Sequence, residues 1–126
     1  MLQHASLETR PDDVEAALSF WAILGFEHVD PPPSLQGRAV WVQRAGTQVH
    51  LLLTLDPVAA PKGHVAVVVD AYDEALDGLR SHGYEVEDRR RHWGAARAMA
   101  RAPGGHLVEV MSAPPGDAAV RTRAHS

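Results

Sequence analysis

The chain contains 126 residues, with 12 basic and 16 acidic side chains and a formal net charge of −4. This length suits one domain, since independent domains usually contain roughly 100 to 200 residues. The acidic excess disfavours nucleic acid as a partner, because a polyphosphate backbone attracts basic surfaces. Cysteine is absent, which excludes disulfides and thiolate ligands, whereas eight histidines are present, and imidazole is the commonest metal ligand among side chains.

Neither end of the chain has the features of a targeting or anchoring segment. The first residues lack a basic stretch followed by an apolar one, and no apolar run approaches the ~18 residues that span a bilayer. We therefore expect a cytoplasmic protein with no membrane partner. Residues 113–126 contain almost no large apolar side chains, so they are predicted to form a flexible tail.

The first half of the chain is predicted to form a strand, a helix and three further strands. Alternating side chains indicate a strand over residues 2–9. Pro11 suits the first turn of a helix, whose apolar spacing continues until Gly25 provides a stop. Three β-rich segments follow, at residues 26–29, 39–43 and 48–54, and a hairpin turn joins the last two.

The second half repeats this order of elements. A β-branched strand is predicted over residues 64–69, and Asp70 is predicted to cap a helix that ends at Gly83. Three short strands complete the unit, at residues 84–86, 97–101 and 107–111.

Matched positions in the two halves are separated by 58 to 60 residues. The matched pairs include His4 with His64, Gly25 with Gly83, and Val49 with Val108. Such constant offsets indicate two copies of one βαβββ unit. We therefore predict a single α+β domain over residues 1–112, with modules at about 2–55 and 63–112. The two modules are expected to form an eight-stranded curved mixed sheet around a central cavity, with the helices on the outside.

Four potential metal ligands occupy matched positions on the first and last strands of the modules. They are His4, His64, His50 and Glu109. Packing of the modules about a pseudo-twofold axis would bring equivalent positions together. Three imidazoles and a carboxylate suit a borderline divalent ion such as Zn, Ni, Co, Fe(II) or Mn, with one or two positions open for substrate or water. Open metal sites are catalytic more often than structural.

Four segments of the sequence resemble the vicinal oxygen chelate superfamily, which includes glyoxalases, bleomycin resistance proteins and extradiol dioxygenases. The segments are His4-Ala5-Ser6-Leu7, Phe20-Trp21-Ala22-Ile23-Leu24-Gly25-Phe26, Gly63-His64-Val65-Ala66 and Pro103-Gly104-Gly105-His106-Leu107-Val108-Glu109. The resemblance extends over about residues 2–112. It implies paired βαβββ modules around a metal ion.

The resemblance also implies roles for individual residues. His4, His64 and Glu109 would bind the metal, with His50 at an optional fourth position that is usually Glu or Gln in metal-dependent glyoxalases. The metal of such enzymes chelates two adjacent substrate oxygens and stabilises the negative charge that develops there. A nearby base moves the proton. The candidates for this base are Glu109, if it detaches from the metal, and Glu8.

The leading hypothesis is a metal-dependent enzyme that acts on a small oxygenated metabolite by lyase or isomerase chemistry of the glyoxalase type. One alternative is a protein that holds a drug or hydrophobic metabolite without turnover, as bleomycin-binding relatives do. A further alternative is an epoxide-opening or ring-cleaving enzyme of the same superfamily. The cluster Arg89-Arg90-Arg91, or Arg97, is a candidate for receiving an anionic substrate.

Family members commonly dimerise, and the edges of the two sheets would otherwise be exposed. We therefore expect a homodimer. The sequence leaves open whether the two modules pair within one chain or exchange between two chains, and exchange would build each metal site from two subunits.

Overall fold

The structure is a computed structural model that describes residues 1–116. The predicted tail, 113–126, therefore lies mostly outside the described residues. The first module consists of β1 (His4–Thr9), α1 (Val14–Ile23), β2 (Glu27–Val29), β3 (Ala39–Arg44) and β4 (Thr47–Leu53). The second consists of β5 (His64–Val68), α2 (Tyr72–Ser81), β6 (Val86–Asp88), β7 (Arg97–Arg101) and β8 (Leu107–Met111). Within residues 1–116, neither α-helix combines the length and the apolarity needed to cross a bilayer.

The eight strands form two four-stranded mixed sheets, one in each module, and the sheets do not close on each other. The strand orders are β1-β4-β3-β2 and β5-β8-β7-β6. In each sheet the first strand of the module lies parallel to the last strand, and the remaining pairs are antiparallel. The predicted α+β class and the tandem βαβββ modules are confirmed.

The two modules share one hydrophobic core. The core side chains that are at most 1% exposed come from both helices and from the inner strands of both sheets: Phe20, Trp21, Val42, Val49, Leu79, Ala98, Ala100, Val108 and Val110. Each helix therefore covers the core face of the sheets, and the opposite face of each sheet carries polar side chains among apolar ones.

Aromatic and helix contacts join the two modules. The ring of Tyr84 lies 5.2 Å from that of Phe20 in an edge-to-face arrangement, and the Tyr84 hydroxyl donates a hydrogen bond of 3.2 Å to the carbonyl of Ala16. The helices α1 and α2 meet at Gly78, where an added Cβ would lie 3.1 Å from Cγ2 of Ile23. The missing side chain at Gly78 allows this close approach of the helices.

The last hairpin of each module reaches the end of the first strand of the other module. Arg44, at the end of β3, donates a hydrogen bond of 2.6 Å to the carbonyl of Val68. His106, just before β8, donates one of 2.6 Å to the carbonyl of Glu8. Since Glu8 and Val68 are 60 residues apart, the pair of contacts reproduces the internal repeat in three dimensions.

Two local expectations are wrong. Asp70 does not cap α2: the N-cap residue is Ala71, which makes no side-chain cap, and the Asp70 carboxylate lies 3.9 Å from Arg44. The strand β6 begins at Val86 rather than at Tyr84. The amide of Tyr84 instead closes the end of α2 with a hydrogen bond of 3.1 Å, and its ring packs against the core.

Because the modules share one core, we predict that Phe20→Ala destabilises both modules together. The free energy of unfolding should fall by about 3–5 kcal/mol, the usual cost of truncating a buried Phe. Urea unfolding followed by circular dichroism and tryptophan fluorescence should give one coincident transition. Leu35→Ala, at a site 36% exposed, is the control and should change little. Two separate transitions would contradict the shared core.

Candidate metal centre

Strand alternation turns the predicted ligands away from the core. On β8, Val108 and Val110 are fully buried, so Glu109 between them points to the opposite face of the sheet. Two core residues flank His50 on β4 in the same way. The first strands are edge strands beside β4 and β8, so each places its histidine next to a ligand candidate of the last strand.

The structure brings the four predicted ligands together as two pairs. His4 and His50 lie on the first sheet, with ring centroids 4.0 Å apart. His64 and Glu109 lie on the second sheet, with 3.1 Å between Nε2 and Oε1. Among the described residues, no group of three or more His, Asp or Glu side chains is close enough to hold one ion. The single chain thus presents two half-sites, one on each sheet.

The pair of His64 and Glu109 fits a cation. Nδ1 of His64 lies 3.0 Å from the carbonyl oxygen of Lys62, which can only accept, so Nδ1 carries a hydrogen. Nε2 of a neutral His64 then presents a lone pair to a carboxylate oxygen, and two acceptors face each other. A proton on Nε2 or a metal ion between the two atoms satisfies both. Ligand atoms on one zinc-sized ion, each bound at about 2.0–2.2 Å, lie about 2.8 to 3.6 Å apart for octahedral to tetrahedral angles, a range that includes the observed separation of 3.1 Å.

Arg97 holds the other oxygen of this carboxylate. Its Nη1 lies 3.1 Å from Oε2 of Glu109, which is only 7% exposed. The Nε of Arg97 donates a hydrogen bond of 2.8 Å to the carbonyl of Arg90, and its guanidinium lies 5.8 Å from the ring centre of Trp93. The Trp93 indole is itself fixed by a 3.0 Å hydrogen bond to the carbonyl of Ala113. Arg97 is therefore held by three contacts.

His4, His50 and Trp41 form a stack of three rings across the first sheet. Neighbouring centroids are 4.0 Å apart, with interplanar angles of 16° and 4°. His4 donates from Nδ1 to Gln3 and keeps Nε2 as an acceptor, whereas His50 donates from Nε2 to Gln48, both at 2.7 Å. Because an imidazole lone pair lies in the plane of its ring, two parallel rings do not point at one ion. Chelation by both histidines requires one of them to leave the stack.

The predicted base Glu8 occupies a cavity of about 290 Å³ between β1 and β5. Ser6 and His64 also line this cavity. One carboxylate oxygen of Glu8 accepts a hydrogen bond of 2.7 Å from the amide of Val58, which fixes the side chain against the linker between the modules. A predicted base and a predicted ligand thus share one cavity in the chain.

Three side chains of this region received no role from the sequence. Gln48 and Trp41 could have been found, because Gln48 precedes His50 by two positions on the strand and Trp41 is the cross-strand partner of His50. Trp93 lies in a loop without periodicity, so no sequence signal links it to Arg97.

Burial, and then the nearby His4, lower the pKa of His50 below its ordinary value of 6.5. The folded state therefore binds fewer protons than the unfolded state as the pH falls through about 6.5, and stability should decrease there. We predict that His50→Gln weakens this loss of stability between about pH 7.5 and 5.5, measured as the urea midpoint. The exposed His28, changed to Gln, is the control. The same pH dependence in His50→Gln and in the parent protein would contradict the prediction.

Solved structures with the same fold include a protein from Bacillus anthracis assigned to the glyoxalase family, with a TM-score of 0.78, 24% identity, and coverage of 88% of this chain and 93% of that one. The fosfomycin resistance protein FosX from Listeria monocytogenes gives 0.76 and 19%, covering 96% and 97%. A bleomycin resistance determinant encoded on transposon Tn5 gives 0.59 and 19%, covering 85% and 94%. At these identities the similarity shows the fold alone.

A comparison with curated protein sequences gives no match. Residues 2–110 match the family described as the Glyoxalase/Bleomycin resistance protein/Dioxygenase superfamily. This range contains both modules and all four predicted ligands. The chain therefore belongs to the glyoxalase, bleomycin resistance protein and dioxygenase superfamily.

Proposed function

We propose that this protein is a metal-dependent enzyme that acts on a small oxygenated metabolite by lyase or isomerase chemistry of the glyoxalase type. The observation that carries the proposal is the pair of His64 and Glu109, whose facing acceptor atoms are 3.1 Å apart. A divalent ion of the zinc, nickel, cobalt, iron(II) or manganese class satisfies both atoms. Such an ion would supply a Lewis acid for two adjacent substrate oxygens.

We propose further that a second copy of the chain completes each site in a homodimer. The two half-sites lie on different sheets, and His4 is exposed on the edge strand of the first sheet. Leu52, on the same face as His50, is 41% exposed although it is apolar. A dimer in which the first sheet of one chain faces the second sheet of the other would cover this face. Each dimer would then hold two equivalent sites.

Glu8 is the stronger candidate for the base. It lines the same cavity as His64, and within residues 1–116 only one of its oxygens is engaged, by the amide of Val58. Glu109 is less suited to move a proton, because Arg97 holds one of its oxygens and His64 faces the other. In this proposal His64 and Glu109 hold the ion, His4 completes the ligand set, and Glu8 accepts the substrate proton.

A ligand-holding protein without turnover is the second candidate. It is favoured by the contact between Arg97 and Glu109, at 3.1 Å, which neutralises the carboxylate without an ion. The stack of His4, His50 and Trp41 likewise engages both histidines with aromatic neighbours. Metal content separates the two functions, because only the enzyme requires an ion.

Metal analysis of protein purified without a His tag should find about one divalent ion per chain. We predict that His64→Ala and Glu109→Ala each abolish this binding, since each removes one atom of the facing pair. His28→Ala is the matched control, because His28 is an exposed histidine of the first module. Metal content that is unchanged in His64→Ala would refute the proposed centre.

Mixing two variants that each lack one predicted ligand tests whether each metal site is built from two chains. We predict that His4→Ala and His64→Ala chains, unfolded together and refolded as mixed dimers, recover one metal ion per mixed dimer. In such a dimer one site carries both substitutions, while the other receives its intact His4 from one chain and its intact His64 from the other. Sites built within single chains would give no recovery.

Glu8→Gln should lower kcat by about 10²- to 10⁴-fold, the usual contribution of a general base, while the metal content stays unchanged. Turnover is measured on a panel of α-ketoaldehyde–thiol adducts, epoxides and catechols, and the best substrate is used for the comparison. Glu27→Gln, at an exposed position on the outer strand β2, is the control. An unchanged kcat would remove Glu8 from the mechanism.

A further inference from the structure

We infer that Arg97 binds an anionic group of the substrate, and that the binding of this group and the binding of the metal ion strengthen each other. The inference rests on the metal centre proposed above and specifies its substrate class. It goes beyond the ligand set, because Arg97 belongs to none of the four predicted ligand positions.

The contacts of Arg97 leave part of its guanidinium available. Nε is used by the carbonyl of Arg90, and Nη1 by Glu109. Among the described residues, Nη2 makes no hydrogen bond. No buried side-chain nitrogen or oxygen in residues 1–116 lacks a partner, so Nη2 is accessible to solvent. A guanidinium fixed on one side and open on the other is preorganised to bind a carboxylate or phosphonate.

The charges of the centre explain why an anion would bind at Nη2 of Arg97. Without a metal ion, the positive charge of Arg97 is balanced by Glu109 at 3.1 Å. A divalent ion on Glu109 adds two positive charges near Arg97, and the single carboxylate no longer neutralises both cations. Close positive charges repel strongly in a partly buried site. An anionic group on Nη2 relieves this repulsion, because it neutralises Arg97 directly.

Thermodynamic linkage makes the effect reciprocal. If an anion raises the affinity for the metal by some factor, the metal must raise the affinity for the anion by the same factor. Coupling of this kind commonly amounts to roughly 5- to 150-fold. The substrate class that fits is an oxygenated metabolite that carries a carboxylate or phosphonate close to its two chelating oxygens.

Titration of the protein with Co²⁺ tests the coupling, since the visible absorption of Co²⁺ reports coordination without any turnover. The titration is done alone and with saturating methylphosphonate or acetate, and the binding of each anion to Co²⁺ in buffer is subtracted. In the parent protein we expect at least one anion to lower the Kd of Co²⁺ by about 5- to 150-fold. The anion with the larger effect identifies the substrate group as a phosphonate or a carboxylate.

Arg97→Gln should bind Co²⁺ with an affinity that no longer depends on either anion. Arg101→Gln is the matched control, because Arg101 lies four positions along the same strand and pairs with the exposed Glu85 at 3.1 Å. Arg101→Gln removes one positive charge, as Arg97→Gln does, but it should keep the coupling of the parent protein. Arg97→Lys retains the charge without the planar fork, so it should keep part of the coupling, and it serves as the test if Arg97→Gln does not fold.

Equal Co²⁺ affinity with and without the anions in the parent protein would overturn the inference, as would full coupling in Arg97→Gln. If the metal centre itself is absent, the result differs, because neither the parent protein nor any variant would bind Co²⁺. In that case methylphosphonate is titrated into the metal-free protein. Binding that is lost in Arg97→Gln but kept in Arg101→Gln supports an anion site at Arg97, and equal binding in both variants overturns it.

Discussion

A strand that buries one face in a core must present every second residue on the other face, and this alternation positions the whole candidate centre. Val108 and Val110 have no exposed surface, so Glu109 has to point away from them. A shift of β8 by one residue would bury the carboxylate among apolar side chains, at a large cost in desolvation. The packing of the core therefore fixes the register of the strand and, through it, the place of the ligand.

The sheet topology then determines which ligands become neighbours. Each module places its first strand beside its last one, so the histidine of the first strand always meets a residue of the last strand. The residues that meet in this way differ between the two modules. In the first module the meeting residues are two imidazoles stacked with Trp41, whereas in the second they are an imidazole and a carboxylate backed by Arg97.

Much of this arrangement could be predicted from the sequence, because it depends on local patterns. The offset between His4 and His64 indicated the duplication, and alternation placed Glu109 on the face of β8 that also carries Leu107 and Met111. The start of β6 was wrong because the ring of Tyr84 packs on Phe20, a contact between modules that leaves no periodic trace. The separation of the four predicted ligands into two pairs was not predicted either, because it depends on how the two modules pack.

The anchoring of Arg97 could not be predicted for a related reason. Its position on β7 follows from the strand pattern, but its partners come from the loop before β7, at Arg90 and Trp93, and from β8, at Glu109. These contacts form only after the chain has folded, and no periodicity in the loop indicates them. The arginine cluster at residues 89–91 looked equally promising in the sequence, and only tertiary structure separates one arginine from the others.

The reciprocal hairpin contacts carry an evolutionary consequence. On both sides of the pseudo-symmetric joint the acceptor is a main-chain carbonyl, at Val68 and at Glu8, while the donors are an arginine and a histidine. A carbonyl group offers the same acceptor whatever side chain its residue carries, so neither contact depends on the side chain at the acceptor position. A duplicated gene with such a joint can accumulate substitutions in both copies while the copies still fit together. The descendants of one unit were thus free to acquire different chemistry on their polar faces.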